Sequence, residues 1–343
     1  MQHEITSPTR LLDKNGNIAE PGFAKKMLYE YHRADIKASD WRIKEWDYYY
    51  VSNPRYAIAL TIGDNGFAGA LSVSVLEFEK PYDVTKTALV LFPLGKMKLP
   101  ETSEKGDSRY TQGKSTYEFL NDGTTRRLKG IHADFEKGKD LTFDITLTDF
   151  PEESMVIATP FDKDAHFYFN QKINCMRAEG VVKIDDKEYV FDKSDSMGTL
   201  DWGRGVWTYD NTWYWGSLQG YLDDGSRFGW NVGYGFGNTS AATENMLFYN
   251  GKSHKLDEVT FNIPQKDGKD DYMSPWTFTS NDNRFNMNFT PILDRQAPLN
   301  IGVICMLPHQ VFGRFNGTAV LDDGTVIEVK DMIGFAEKVH NKW

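Results

Sequence analysis

Cysteine is nearly missing from this chain: there are two in 343 residues. Cys175 and Cys305 lie far apart with no C-x-x-C pattern, which argues against a disulfide framework and reads as two free, buried thiols. Histidine is scarce too. None of the seven is spaced as H-x-H or H-E-x-x-H, so no metal site is expected. Long hydrophobic runs are lacking. The apolar stretches at 88–93 and 301–307 fall far short of a membrane span, and no membrane insertion is expected. Met1-Gln2-His3-Glu4 carries neither a basic segment nor an apolar run, so the expectation is no signal peptide and a cytoplasmic protein. Positive charge is short as well, with a formal net charge of −10. A nucleic-acid binder needs a basic face to displace counterions. The nearest candidate, Arg126-Arg127-Leu128-Lys129, reads as the start of a solvated strand, so nucleic acid and anionic membranes are not expected as partners. The G-x-S-x-G elbow and the P-loop and kinase signatures are also missing. Gly233-x-Gly235-x-Gly237 looks like a nucleotide loop but lies inside a strand pattern with no helix behind it.

What the chain has is aromatic side chains, at 14%, and 29 glycines. That pairing favours sheets joined by tight turns. Leu141, Phe143, Ile145 and Leu147 alternate with Thr142, Asp144 and Thr146, the period of a half-buried strand. Phe228, Trp230, Val232, Tyr234 and Phe236 alternate with Gly229, Asn231, Gly233 and Gly235. One face is thick with rings, and the other is bare enough for a second layer or a ligand to approach. Asn121-Asp122-Gly123, Asp224-Gly225, Asn250-Gly251 and Asp323-Gly324 carry hairpin chemistry, and Lys137-Gly138-Lys139 sits between strand-like runs in the same way. Two short helices are expected, over 23–31 and 332–342, and a long polar loop over 100–114. The fold class is all-β: two antiparallel barrels or sandwiches side by side, covering 1–175 and 176–343.

Four of the nine Trp fall between Trp202 and Trp215. Asp201-Trp202-Gly203-Arg204-Gly205-Val206-Trp207 is followed by Trp213-Tyr214-Trp215-Gly216. Indoles beside ionisable groups and glycines favour a pocket, where polar groups converge on an apolar wall. Asp201 and Arg204 have two readings: a structural ion pair, or a partly desolvated acid tuned by its neighbour. Glu244, with Asn245, is a loop carboxylate unless it reaches the same cavity. His309 and Gln310 form a polar pair inside an apolar segment, and a lone His there is more often a satisfied core residue. Gly205-x-Trp207 has the G-x-W form of a lipocalin hallmark, which chance supplies roughly 0.8 times in such a composition.

The chain resembles a mainly bacterial family catalogued as domain-of-unknown-function family 2804. The resemblance rests on Lys44-Glu45-Trp46-Asp47-Tyr48-Tyr49, the Asp201–Trp207 block, Thr243-Glu244-Asn245-Met246-Leu247-Phe248, Gly251-Lys252-Ser253-His254-Lys255-Leu256, His309-Gln310-Val311-Phe312-Gly313 and Ile333-Gly334-Phe335-Ala336-Glu337 with the terminal Trp343. Phe335 stands where the family is expected to carry Trp. More remotely it resembles the two-domain lipocalin-like superfamily of carotenoid hydratases, tocopherol cyclases and AttH-like proteins. That resemblance implies paired β-barrels, a lipophilic substrate, acid-assisted hydration or cyclisation, and no redox cofactor. The expected site has Asp201, Glu244 and His309 as catalytic groups. Trp202, Arg204, Trp207, Trp213, Trp215, Asn231, Asn245 and Gln310 are the expected substrate-binding groups. The leading expectation is a cofactor-independent hydratase, cyclase or isomerase acting on an isoprenoid- or polyketide-like molecule. A carrier of a lipophilic ligand is the alternative, and a carbohydrate-binding protein or glycosidase the third. A homodimer is compatible with the sequence, but no coiled-coil or exposed helical stripe supports one.

Overall fold

Period-two patterning with Asx-Gly punctuation gives a chain that is almost wholly strand and turn. The computed structural model describes residues 2–300 and 305–342. Residues 301–304 of the apolar stretch expected at 301–307, with Met1 and Trp343, lie outside them. Among the described residues the one helical turn is Arg33–Asp35. No helix there is long and apolar enough to cross a membrane.

Two large sheets organise the chain. The first has thirteen strands. Its main path runs Tyr82–Leu91, Ala68–Glu77, Tyr56–Asp64, Ile43–Ser52, Met197–Val206, Phe167–Ile184, Lys139–Thr148, Arg126–Glu136, Ser115–Asn121 and Ser108–Gln112. It rolls into a nearly closed barrel. The Tyr82 hydroxyl helps to bring the edge strand round by donating to Glu136 at 2.9 Å. The second sheet has ten strands and curls into a half-barrel. At its centre Asp210–Tyr221 pairs with both Arg227–Tyr234 and Val326–Lys342, and the latter also pairs with Cys305–Val320.

Three apolar layers follow from this arrangement. Leu60, Val73, Leu128 and Ile145 fill the barrel, and Trp230, Phe278, Phe289 and Phe315 fill the half-barrel. A third layer joins the two: Tyr50, Phe78 and Tyr168 from the first sheet meet Phe236, Phe312 and Phe335 from the second. Strands beside this third layer are therefore buried on both faces, and every residue of Met197–Val206 is buried. The bare face of Arg227–Tyr234 does receive a second layer. A Cβ on Gly229 would stand 2.7 Å from Cys175 Sγ of the barrel. Cys175 is a buried free thiol and Cys305 a half-buried one.

All five turn signals sit between paired strands. Asn250 and Gly251 take φ of 46° and 85°, the positive pair that a two-residue hairpin needs. Both expected helices are strands. Residues 332–342 belong to Val326–Lys342, and residues 23–31 hold only the short strands Gly22–Ala24 and Tyr29–Glu30. The polar loop is interrupted by Ser108–Gln112. The chain changes sheet between Val206 and Asp210. Around the expected join at 175/176, Phe167–Ile184 continues through a bulge at Cys175, whose φ is 62°.

Candidate active site

The Asp201–Trp207 block is two messages written on alternate residues. On a strand, odd and even positions face opposite ways. Leu200, Trp202, Arg204 and Val206 turn into the barrel, while Asp201 turns toward the second sheet. Asp201 and Arg204 are three apart, so they cannot share a face. Arg204 is fully buried in the barrel, 3.1 Å from Asp47 and 3.7 Å from Glu45. It also donates to the carbonyls of Trp46, Gly203 and Pro100, each at 2.8 Å. Its guanidinium lies 4.1 Å from the centre of the Trp202 ring. Trp202 and Arg204 therefore hold the barrel together and do not line the cavity between the two sheets.

The outward face opens on a cavity of about 370 Å³ between the two sheets. Trp46, Tyr168, Trp207, Trp213, Trp215 and Phe236 form its aromatic wall. Trp207 stands edge-on to Trp46, Tyr168 and Trp213, with centroids 5.1–6.0 Å apart. The glycines of the block make this possible. A Cβ on Gly203 would meet the Trp46 ring at 2.0 Å, so that indole lies on bare backbone. Gly203→Ala is expected to push Trp46 off its seat and cost about 1–3 kcal/mol, the usual penalty for overpacking. Near-UV circular dichroism and a urea midpoint check this together. An unchanged spectrum with unchanged stability would contradict the packing.

Asp201 sits in this wall. Its Oδ1 accepts from Asn170 at 2.6 Å and from the Trp46 indole at 3.2 Å. Its Oδ2 lies 3.0 Å from Lys172 Nζ, which itself rests 4.3 Å from the centre of the Trp215 ring. A second carboxyl group faces the same space. Glu337 accepts from Trp213 Nε1 at 3.0 Å and from Gln310 Nε2 at 2.7 Å. Burial raises its pKa above the ordinary 4.5, against the lowering pull of the Trp213 bond and Arg295. Tyr48 lines the cavity beside Gln310, and among the described residues neither its hydroxyl nor Gln310 Oε1 has a hydrogen-bond partner of ordinary geometry. Half a turn of the Gln310 amide satisfies both with a protonated Glu337: the carboxyl donates to Oε1 and the amide to the Tyr48 oxygen.

Glu244 is completely buried behind Tyr168, whose hydroxyl donates to it at 2.6 Å. Burial raises its pKa too. Asn231 accepts from Trp215 Nε1 at 2.6 Å and donates to the Glu244 carbonyl, so it positions an indole from behind. Asn245 ties its loop to the sheet by accepting from the Gly233 amide and donating to the Asp257 carbonyl. His309 lies outside the cavity, stacked on Tyr272 at 3.9 Å and bonded to Asp294 at 2.7 Å. Of the expected residues, the structure brings together Asp201, Trp207, Trp213, Trp215 and Gln310. Glu244 and Asn231 stand one layer behind, and Trp202, Arg204, Asn245 and His309 are elsewhere. Sequence reasoning missed Trp46, Tyr48, Lys172 and Glu337. Three of these stand in blocks already quoted for the family resemblance, which is the one signal that pointed to them. Among the described residues no three His, Cys, Asp or Glu side chains cluster as a metal site.

A nearly closed barrel and a curled half-barrel side by side, with an aromatic cavity between the two sheets, define an all-β protein. The chain belongs to the family described as a domain of unknown function, DUF2804, which matches residues 2–343. Solved structures of similar fold include CghA with Sch210972, at 9% identity and a TM-score of 0.50, covering 97% of this chain and 96% of that one. Kievitone hydratase from Nectria haematococca is similar at 11% identity and a TM-score of 0.48, covering 88% of each chain. An AttH-like protein from Nitrosomonas europaea is similar at 12% identity and a TM-score of 0.49, covering 87% and 92%. No curated protein sequence matches.

Proposed function

We propose that this protein is a cofactor-independent enzyme that hydrates, cyclises or isomerises a double bond in a lipophilic, isoprenoid- or polyketide-like molecule. One observation carries the reading. A carboxyl group whose burial favours the protonated form, Glu337, shares an aromatic cavity with a second carboxylate, Asp201, which is ion-paired to Lys172. Two carboxyl groups in contrasting environments are how one site supplies both an acid and a base. Glu337 gives its proton to an alkene carbon. The faces of Trp207, Trp213 and Trp215 shelter the cation that forms. Water attacks the cation and loses a proton to Asp201 to complete a hydration. A second alkene attacks it to close a ring, and the new cation loses a proton to Asp201 to complete a cyclisation. Direct loss of a proton to Asp201 completes an isomerisation, and exchange with water restores both carboxyl groups.

The test is mass spectrometry of an organic extract from freshly purified protein, beside a Trp213→Ala control. A lipophilic molecule retained by the native protein, lost from the control and converted on incubation supports the enzyme. A retained molecule returned unchanged makes the protein a carrier. A bound sugar would move the assignment to carbohydrate recognition.

A further inference from the structure

One row of side chains crosses four strands of the second sheet. Arg295, at the end of Phe285–Arg295, stands opposite Gln310, Gln310 opposite Glu337, and Glu337 opposite Trp215. Directly opposed residues share a face of a sheet, and all four line the cavity. Arg295 is half-buried, and the cavity lining includes the exposed Thr87 and Ala297, whereas Trp215 at the other end of the row is buried. The Arg295 Nη1 donates to the buried Ser74 Oγ at 2.8 Å, and the guanidinium lies 6.0 Å from the centre of the Phe312 ring. Among the described residues no carboxylate comes within 4.0 Å of it. We propose that Arg295 is an anion anchor, which binds the carboxylate of a ligand whose apolar body fills the aromatic part of the cavity. The proposal rests on reading the cavity as a lipophile site, and it names the ligand as a lipophilic acid.

Three observations support it. The first is charge. The lining holds three basic side chains, Lys44, Lys172 and Arg295, against two carboxyl groups, Asp201 and Glu337. Lys172 is paired with Asp201 at 3.0 Å, and burial holds Glu337 toward its protonated form. Asp83 lies outside the lining and more than 4.0 Å away; burial raises its pKa and Arg295 opposes the rise. The second is shape. A guanidinium is a planar fork that meets a carboxylate through two parallel N–H bonds, and the bond to Ser74 uses one of its five N–H groups. One such fork balances one negative charge, which suits a carboxylate better than a diphosphate. The third is the wall. Ser74 bonds to Thr85 at 2.8 Å and Ser72 to Thr87 at 3.0 Å, so hydroxyl groups line the cavity along with the rings. A few polar groups on an apolar wall fix the orientation of a ligand. Two steps across paired strands, about 10 Å, separate Arg295 from Glu337 along the backbone. A head group held by Arg295 therefore sets which part of the ligand reaches the acid.

The probes are geranic acid and its methyl ester, which share a skeleton and differ in charge at pH 7. Quenching of Trp fluorescence reads binding. The native protein is expected to bind the acid about tenfold more tightly than the ester, as a hydrogen bond to a charged group implies. Arg295→Met is expected to abolish that preference while the ester still binds. Protection gives the same information on the native chain should the variant fold poorly. Geranic acid, and not the ester, is expected to shield Arg295 from phenylglyoxal, read by peptide mapping. Equal binding of acid and ester, with no shielding, would overturn the anchor and leave the lipophile cavity standing. Absence of quenching by either would overturn both. A preference for the acid that survives Arg295→Met would overturn the assignment to Arg295. Tighter binding of geranyl diphosphate than of geranic acid would overturn the carboxylate as the head group.

Discussion

Arg204→Ala is expected to lower the stability of the protein by about 3–5 kcal/mol, the range seen when one partner of a buried ion pair is removed. The variant leaves Glu45 and Asp47 with less compensation inside the barrel, where they are 2% and 6% exposed. Glu45 keeps bonds from Tyr31 at 2.9 Å and Arg33 at 2.5 Å, and Asp47 keeps one from Ser108. The carbonyls of Trp46, Gly203 and Pro100 each lose a donor. A urea unfolding curve followed by Trp fluorescence gives the number. Near-native stability together with lost ligand binding would instead return Arg204 to the ligand site.

Glu337→Gln is expected to cost about 10²- to 10⁴-fold in turnover, the usual contribution of a positioned acid. The same variant is expected to fold at least as well as the native protein at neutral pH. The sign follows from linkage. Burial raises the Glu337 pKa in the folded chain above its ordinary 4.5, so the folded state holds its proton when the unfolded chain has lost it. The stability this group contributes is present in full below about 4.5 and is lost as pH rises through the folded value. Glutamine does not titrate. The difference in stability between variant and native protein should therefore move in the variant's favour as pH rises above 4.5. Turnover is measured with the molecule recovered from the native protein. Native-like turnover by the variant would remove Glu337 from the chemistry. Lost turnover with a large loss of stability would show only a packing role.

Hairpins were legible because their signal is local: Asx-Gly pairs need positive φ wherever they occur. The all-β class followed from them. The segment 332–342 was misread because Met332-Ile333-Gly334-Phe335-Ala336-Glu337-Lys338 has helix-compatible residues, and what makes it a strand is pairing on both sides with Asp210–Tyr221 and Cys305–Val320. Such partners lie far away in sequence, and they override propensity. The error hid Glu337, since helical spacing places it on no shared face with Gln310, whereas strand pairing sets the two directly opposite. Likewise, residues three apart on a strand face opposite ways, so Asp201 and Arg204, close in sequence, do not pair with each other. Lys172 gave no signal because an ionisable residue in an apolar strand has no readable partner until the register with Asp201 is known.

The strand Met197–Val206 also bears on how this family can diversify. Because residues facing the second sheet and residues facing the barrel interleave, two properties that usually trade off are carried by separate letters of one short word. Substitutions at 201 should vary what the cavity accepts, while 203 and 205, where a Cβ would meet Trp46 at 2.0 Å and the Phe167 carbonyl at 2.5 Å, must stay glycine. Libraries at 200, 202, 204 and 206 should vary yield and leave selectivity alone. A lineage drifting to a new ligand could rewrite position 201 and keep the barrel-facing residues beside it.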